Sequence, residues 1–316
     1  MYLIRTTISL LYTGNRLKRV TDTSLAFNNG FEFTDGVHEA IEWEYDENGN
    51  LTKDLNKNIT AIQYNCLNLP SRVMFANGNS ISYLYDAAGR KLRTVHVLEG
   101  DSVTTDYCGN VVYENGVPQI LLTEVGYVSL TDGQYHYYLK DHQGNNRVVV
   151  DEEGTVEEVN DYYAFGGLMS TSSRQSVQPY KYNGKELDRK GGLDWYDYGA
   201  RMYDAALGRF MKTDRFSEKY VSLSPYQYGA NNPVNNIDVN GDSLLLNKTS
   251  VAEAMLAIYN GLEDGTNIKM KFNNGVLDPT SIEAHAKVTS DFFLQDLYEI
   301  ATNEKLVELS ISNINS

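Results

Sequence analysis

Proline, cysteine and tryptophan are scarce, at 6, 2 and 2 of 316 residues, and no apolar run approaches the ~20 residues a bilayer-spanning helix needs. A helical membrane span is therefore excluded. Cys66 and Cys108 permit one disulfide at most, so a disulfide-stapled scaffold is excluded and two ordinary thiols are expected. Basic residues are in deficit, 27 against 42 acidic for a formal charge of −15, and no basic stripe exists to neutralise phosphates, which argues against nucleic-acid binding. The five histidines form no His-x-x-x-His pair and none lies beside a cysteine pair, so a zinc site has no support. No Gly-rich loop ends in Lys-Ser/Thr and no Gly-x-Ser-x-Gly elbow occurs; neither a metal nor a cofactor is expected. The stretch from Met1 to Leu11 lacks an apolar h-region and a small-residue cleavage site, so no signal peptide is expected in this chain.

What is abundant is tyrosine and glycine, 24 and 25 residues, a balance that suits a turn-rich β protein. The length suits two ordinary domains or one long β unit. Self-similarity supports β structure: Tyr45-Asp46-Glu47-Asn48-Gly49 recurs as Tyr64-Asn65-Cys66-Leu67-Asn68 and as Tyr85-Asp86-Ala87-Ala88-Gly89, with a degenerate copy at Gly14-Asn15-Arg16-Leu17. Asp-x-x-Gly returns at Asp141 to Gly144, Asp151 to Gly154 and Asp238 to Gly241. In each, the carboxylate accepts backbone amides ahead of it while Gly takes the positive φ that closes a type I turn plus bulge. Alternation in the flanks, Ile81, Tyr83 and Tyr85 against Ser82 and Leu84, or Tyr135, Tyr137 and Leu139 against His136 and Tyr138, predicts strands. A single hairpin cannot bury its apolar face, so the repeats are expected to stack side by side.

Further motifs follow in order: Tyr138-Leu139-Lys140-Asp141-His142-Gln143-Gly144-Asn145, then Tyr162-Tyr163-Ala164-Phe165-Gly166, Tyr182-Asn183-Gly184-Lys185-Glu186 and Tyr196-Asp197-Tyr198-Gly199-Ala200-Arg201. They close with Gly208-Arg209-Phe210, Asp214, Pro225-Tyr226-Gln227-Tyr228, Asn231-Asn232-Pro233 and Ile237-Asp238-Val239-Asn240-Gly241. This series resembles the YD-repeat, or RHS (rearrangement hot spot), family and its associated core, in wording closest to members from Bacteroides-type bacteria. The resemblance implies a mainly β architecture of stacked hairpins forming a curled sheet or partial cocoon wall. It divides the chain into a YD-repeat region (1–130), an RHS-associated core (131–242) and a variable α+β C-terminal segment (243–316). In such proteins the shell encloses and delivers a C-terminal effector, often a toxin. The implied partners are the chain's own C-terminal segment or the remainder of the shell, and the implied parent is exported or bound to the cell surface.

The resemblance also carries a catalytic expectation, an aspartic self-cleaving core in which Asp214 and Asp238 share a proton as general acid and base, with Arg201 and Arg209 as orienting cations. The family's Asp-Pro-x-Gly is Asp214-Arg215-Phe216-Ser217 and Asp238-Val239-Asn240-Gly241 here, and loss of Pro loosens those turns. The plainer expectation is that both aspartates cap turns and both arginines pair with acids. A third reading treats the tyrosines as a carbohydrate or cell-surface platform. In the tail, Ser250-Val251-Ala252-Glu253 reads as a capping box before a helix over 251–260; Phe293, Leu294, Leu297 and Ile300 read as a second helical stripe and Val307, Leu309 and Ile311 as a strand. Asp291, Asp296 and Glu299 read as a solvated helix face.

Overall fold

The computed structural model describes residues 8–22, 33–173, 178–242, 244–246, 272–273 and 276–277. It divides into two compact units, Met1–Gln227 and Tyr228–Ser316. The helices and closing strand expected after residue 250 lie outside the described residues; of that segment only Phe272–Asn273, paired with Val276–Leu277, is described.

The first unit opens with a hairpin, β1 (Ile8–Thr13) and β2 (Arg16–Asp22). A 13-stranded antiparallel sheet follows, in purely sequential order. Its strands are β3 (Trp43–Tyr45), β4 (Leu51–Asp54), β5 (Ile59–Tyr64), β6 (Pro70–Phe75), β7 (Ser80–Tyr85), β8 (Lys91–Leu98) and β9 (Asp101–Cys108), then β10 (Val111–Glu114), β11 (Val117–Thr123), β12 (Gly126–Ser129), β13 (Tyr135–Lys140), β14 (Asn146–Asp151) and β15 (Val156–Val159). A four-stranded sheet completes the unit: β16 (Glu186–Asp188), β17 (Trp195–Asp197), β18 (Met202–Asp204) and β19 (Arg209–Phe210). In the second unit β20 (Asn236–Asp238) pairs with β21 (Leu244–Leu246). The fold is thus mainly β, built from stacked antiparallel hairpins without closing into a barrel.

The repeat's turn chemistry is the one its side chains dictate. In the Asp86 copy, Oδ1 accepts the amides of Ala88 and Arg90, both at 2.9 Å, Asp86 N–H donates to Arg90 O, and Gly89 closes the turn at φ 84°. Asp141 and Asp151 repeat the pattern with their own +2 and +4 amides. Asn65 does the same with an amide oxygen, and Asn68 supplies the positive φ where glycine is missing. Register shifts at Glu44/Tyr45, Leu84/Tyr85 and Leu139/Lys140 are the expected bulges. Asp238 departs from the pattern: its Oδ1 takes the Gly241 amide directly at 2.7 Å, and the strands rejoin only at Leu244. Both cysteines are free and exposed.

One face of the β3–β8 region holds the core, with Trp43, Leu51, Ile59, Val73, Phe75, Ile81 and Tyr83 buried. Leu193, Trp195, Met202 and Met211, from the later four-stranded sheet and its flanks, are buried in the same cluster. The wall and the segment that follows it therefore share a core. Burying a side chain of this size contributes roughly 1.5 to 3 kcal/mol, which favours a docked segment over a solvated one.

Candidate functional site

Residues 178–227 lie against the wall in two ways. Along the row of hairpin turns, side chains reach turn carbonyls: Arg209 Nη2 donates to Asn15 O (3.1 Å), Tyr226 OH to Gly49 O (2.8 Å) and Lys212 Nζ to Asn68 O (2.9 Å). Asn183 Nδ2 likewise donates to Gln143 O at 3.0 Å. Across the wall's face, basic side chains of the strands and of one turn meet acids of the segment. Lys91 lies 2.8 Å from Glu186 and 2.6 Å from Asp197, His96 Nε2 is 2.8 Å from Asp188 Oδ2, and Lys57 is 3.2 Å from Asp204 Oδ2. Tyr107 OH donates to Glu186 as well, at 2.7 Å.

These contacts leave their mark on the charges. Burial pulls the Lys91 ammonium down, but Asp197 and Glu186 together hold it well above the usual lysine range. Asp197, which burial alone would raise, is held below the usual carboxylate range by Lys91. Asp54, opposite Trp43 in the wall, is pushed up to about 6 by burial, against the pull of Lys57 and with the push of Asp204.

Inside the segment, tyrosines form a clamp on one turn. Tyr182, Tyr203 and Tyr196 are buried, and their hydroxyls donate to the carbonyls of Ala164, Phe165 and Gly166 at 3.0, 2.8 and 2.9 Å. Their rings pack on one another and on Phe210. The Tyr162 to Gly166 motif is therefore a receptor for hydroxyls, which is why phenol rings rather than phenyl rings occupy these positions. Gly166 sits at φ 89° with the Tyr182 ring 2.5 Å from where a Cβ would stand.

The four residues singled out from the sequence are placed as follows. Arg201 Nη2 bonds Asp214 Oδ2 at 3.0 Å, Nη1 bonds Pro225 O, and its guanidinium lies 3.7 Å from the Phe210 ring centre. Asp214 Oδ1 accepts the Phe216 amide at 2.7 Å, so both oxygens of this buried carboxylate are engaged. Arg209 is elsewhere, held by Asn15 O and stacked on Tyr226 and Tyr12 rather than paired with an acid. Asp238 belongs to the second unit, where it is buried at the end of β20. The structure thus joins Arg201 to Asp214 and gives Arg209 a docking role.

Sequence reasoning missed the side-chain contacts of the seam. They join residues 79 to 95 positions apart in the cases of Tyr107–Glu186, His96–Asp188 and Lys91–Glu186. Nothing in β8, where Lys91 and His96 stand beside Arg93 and Thr94, singled these two out. Beside this seam lies a cavity of about 570 Å³, lined by His96, Val112 and Ile120 of the wall and by Gln178, Tyr180 and Leu187 of the segment. Among the described residues no cluster of His, Cys, Asp and Glu could hold a metal ion, and no described helix is long and apolar enough to cross a membrane.

The crystal structure of TcdB2-TccC3 superposes with a TM-score of 0.53 at 18% identity, over 75% of this chain and 14% of that one. A Photorhabdus luminescens Tc holotoxin pore containing TccC3 gives 0.52 at 21%, over 63% and 10%. The chain shares its fold with TcdB2-TccC3. No family model matches. Among curated proteins the chain is 29% identical over 249 residues to salivary gland surface protein 1 of Aedes aegypti, covering 71% of this chain and 7% of that one. It is 27% identical over 268 residues to the tRNA nuclease WapA of Bacillus subtilis (strain 168), covering 78% and 10%. The chain spans a tenth or less of the length of these curated relatives.

Proposed function

We propose that this chain is the wall and plug of a toxin-type shell that encloses or presents a C-terminal effector. The observation that carries the reading is the seating of residues 178–227 across the turn row and on the charged face of the wall, through Arg209, Lys212, Tyr226, Lys91 and His96. A segment so held closes one side of a sheet, which is what a plug requires. The likeness in fold to TcdB2-TccC3 and in sequence to WapA supports a toxin shell. In this reading residues 1–130 are YD-repeat wall, 131–242 the core and 243–316 the effector-position segment, within a parent that is exported or bound to the cell surface. Arg201 with Asp214 and Arg209 with Tyr226 hold the plug, and Asp238 closes the turn before the tail.

The test is protection. In the full-length parent, a reporter domain placed after residue 242 is expected to resist added protease with the native seam and to be digested in Lys91→Met. Equal digestion of both proteins would sink the reading.

Self-processing at Asp214 and Asp238 is tested by intact mass. A single full-length mass for the native chain and for Asp238→Asn is expected when these residues are structural, whereas clipping near residue 241 in the native chain alone would make them catalytic. A surface-binding role has one specific observation in its favour, the outward pair Tyr135 and Tyr137, at 50% and 40% exposure beside Leu139. A glycan array read with Tyr135→Ser and Tyr137→Ser decides it; loss of signal in both supports the role.

A further inference from the structure

Where the wall turn between β4 and β5 meets the end of β18, two buried carboxylates and one ammonium line the same cleft. Asp54 comes from the wall, Asp204 from the plug and Lys57 from the wall's own turn. Asp204 is fixed there: its Oδ1 accepts the Ala206 and Leu207 amides at 2.9 and 3.3 Å, and its Oδ2 faces Lys57 at 3.2 Å without the alignment of a hydrogen bond. Asp54 Oδ1 accepts the Lys57 amide at 3.2 Å. The three line a cleft of about 180 Å³ together with Asn56, Gly192 and Asp194.

The other groups near Asp54 do not correct the imbalance. Asp194 is itself paired with Arg189 at 3.0 Å, and the remaining neighbours on β3 are Trp43, directly across the ladder, and the neutral phenol of Tyr45. Lys57 stays charged: burial pulls its ammonium down, but Asp204 and Asp54 hold it above the usual lysine range. One negative charge is therefore in excess in a buried seam. Leaving such a charge unpaired is costly, and the group responds by taking up a proton.

We propose that Asp54 is a proton-operated latch between wall and plug, in which its carboxylate takes a proton from solvent to let the two acids share Lys57, and loses it to loosen the seam. The push of the Asp54 carboxyl to about 6 agrees with the geometry. The sign follows: the folded value lies above the ordinary 3.8, so the folded chain binds this proton more tightly than the unfolded one. Stability is therefore gained as the pH falls through about 6 and lost as it rises. From pH 7.5 to pH 5 the linkage amounts to roughly a tenfold change in the folding equilibrium. The latch depends on the wall–plug contact alone, so it stands or falls separately from any enclosed effector.

The experiment is hydrogen exchange of the full chain at pH 5 and pH 7.5, corrected for intrinsic rates, read at the amides of Lys57, Ala206 and Leu207, beside Asp54→Asn. Asparagine reproduces the neutral carboxyl and keeps the acceptor for the Lys57 amide. The native chain is expected to lose about tenfold protection at these amides at the higher pH, and Asp54→Asn to show no such loss. Equal pH dependence in both proteins overturns the proposal. Should Asp54→Asn fail to fold, Lys57→Met serves: without the ammonium the native transition is expected to move to higher pH, and a transition that does not move overturns the latch.

Discussion

At the residue scale, hydroxyls and one glycine explain why residues 178–227 are rich in tyrosine. Tyr196 is wholly buried and its hydroxyl ends on Gly166 O, so Tyr196→Phe keeps the ring but leaves a buried carbonyl short of a donor. A loss of about 1 to 3 kcal/mol is expected in urea unfolding. Gly166→Ala combines a positive φ with a collision against the Tyr182 ring and is expected to cost about 2 to 4 kcal/mol. Gly78→Ala, at φ 86° with open space around it, is the control and carries only the backbone part, about 1 kcal/mol. Arg201→Met leaves the buried Asp214 without its cation, and about 3 to 5 kcal/mol is expected by the same measurement. The turn residues were legible in advance because Asp86, Asp141 and Asp151 act on amides two and four positions away. The hydroxyl partners were not, because Tyr196 and Gly166 meet only after the chain has folded back on itself.

At the scale of elements, the seam between β8 and the sheet of β16 and β17 is an electrostatic joint. Lys91→Met would strand Glu186 and Asp197 together, and a loss of about 3 to 5 kcal/mol is expected. The pH window of that contribution follows from the two shifts. Asp197 lies below 3.8 when folded, so its share is present above about that pH and is lost as the pH falls through the folded value. Lys91 lies above 10.5, so its share is present below about that pH and is lost as the pH rises through the folded value. The difference in unfolding midpoint between native and Lys91→Met is thus expected to stay level from pH 5 to pH 9 and to shrink outside it. The strands show where sequence reading stops. Alternation in β7 and in β13 is equally clear, yet β7 turns Ile81 and Tyr83 inward, whereas β13 turns His136 inward and leaves Tyr135, Tyr137 and Leu139 outside. His136 is buried against Tyr127, 4.3 Å between ring centres, and pairs with Glu157.

For the molecule as a whole, exposed strand edges govern behaviour in solution. Every residue of β1 is exposed, including Ile8, Leu10, Leu11 and Tyr12, while β2 beside it buries Leu17 and Val20. Among the described residues β1 pairs only with β2, and an exposed apolar strand with an open edge is a template for pairing. The isolated chain is expected to associate at micromolar concentration in light scattering, and Leu10→Lys with Leu11→Lys to reduce it. A monodisperse native chain would count against this account of the edge.

Read alone, the order of residues already determined the turns, because each rests on contacts within about five positions: a carboxylate, two amides and a residue able to hold positive φ; the hairpins and their side-by-side stacking followed from the strand alternation that flanks those turns. It also marked Arg201 and Asp214, which prove to be partners, Asp238, which accepts the Gly241 amide of its turn, and Arg209, expected to pair with an acid but held instead by Asn15 O and the Tyr226 ring. Tertiary structure alone decided which face of each strand turns inward and which cations meet which acids. A strand's period of two is the same whichever face is buried. The choice between faces is made by what packs against them, and Trp195, Met202, Glu186, Asp188 and Asp197 arrive at the wall only when the later segment folds onto it.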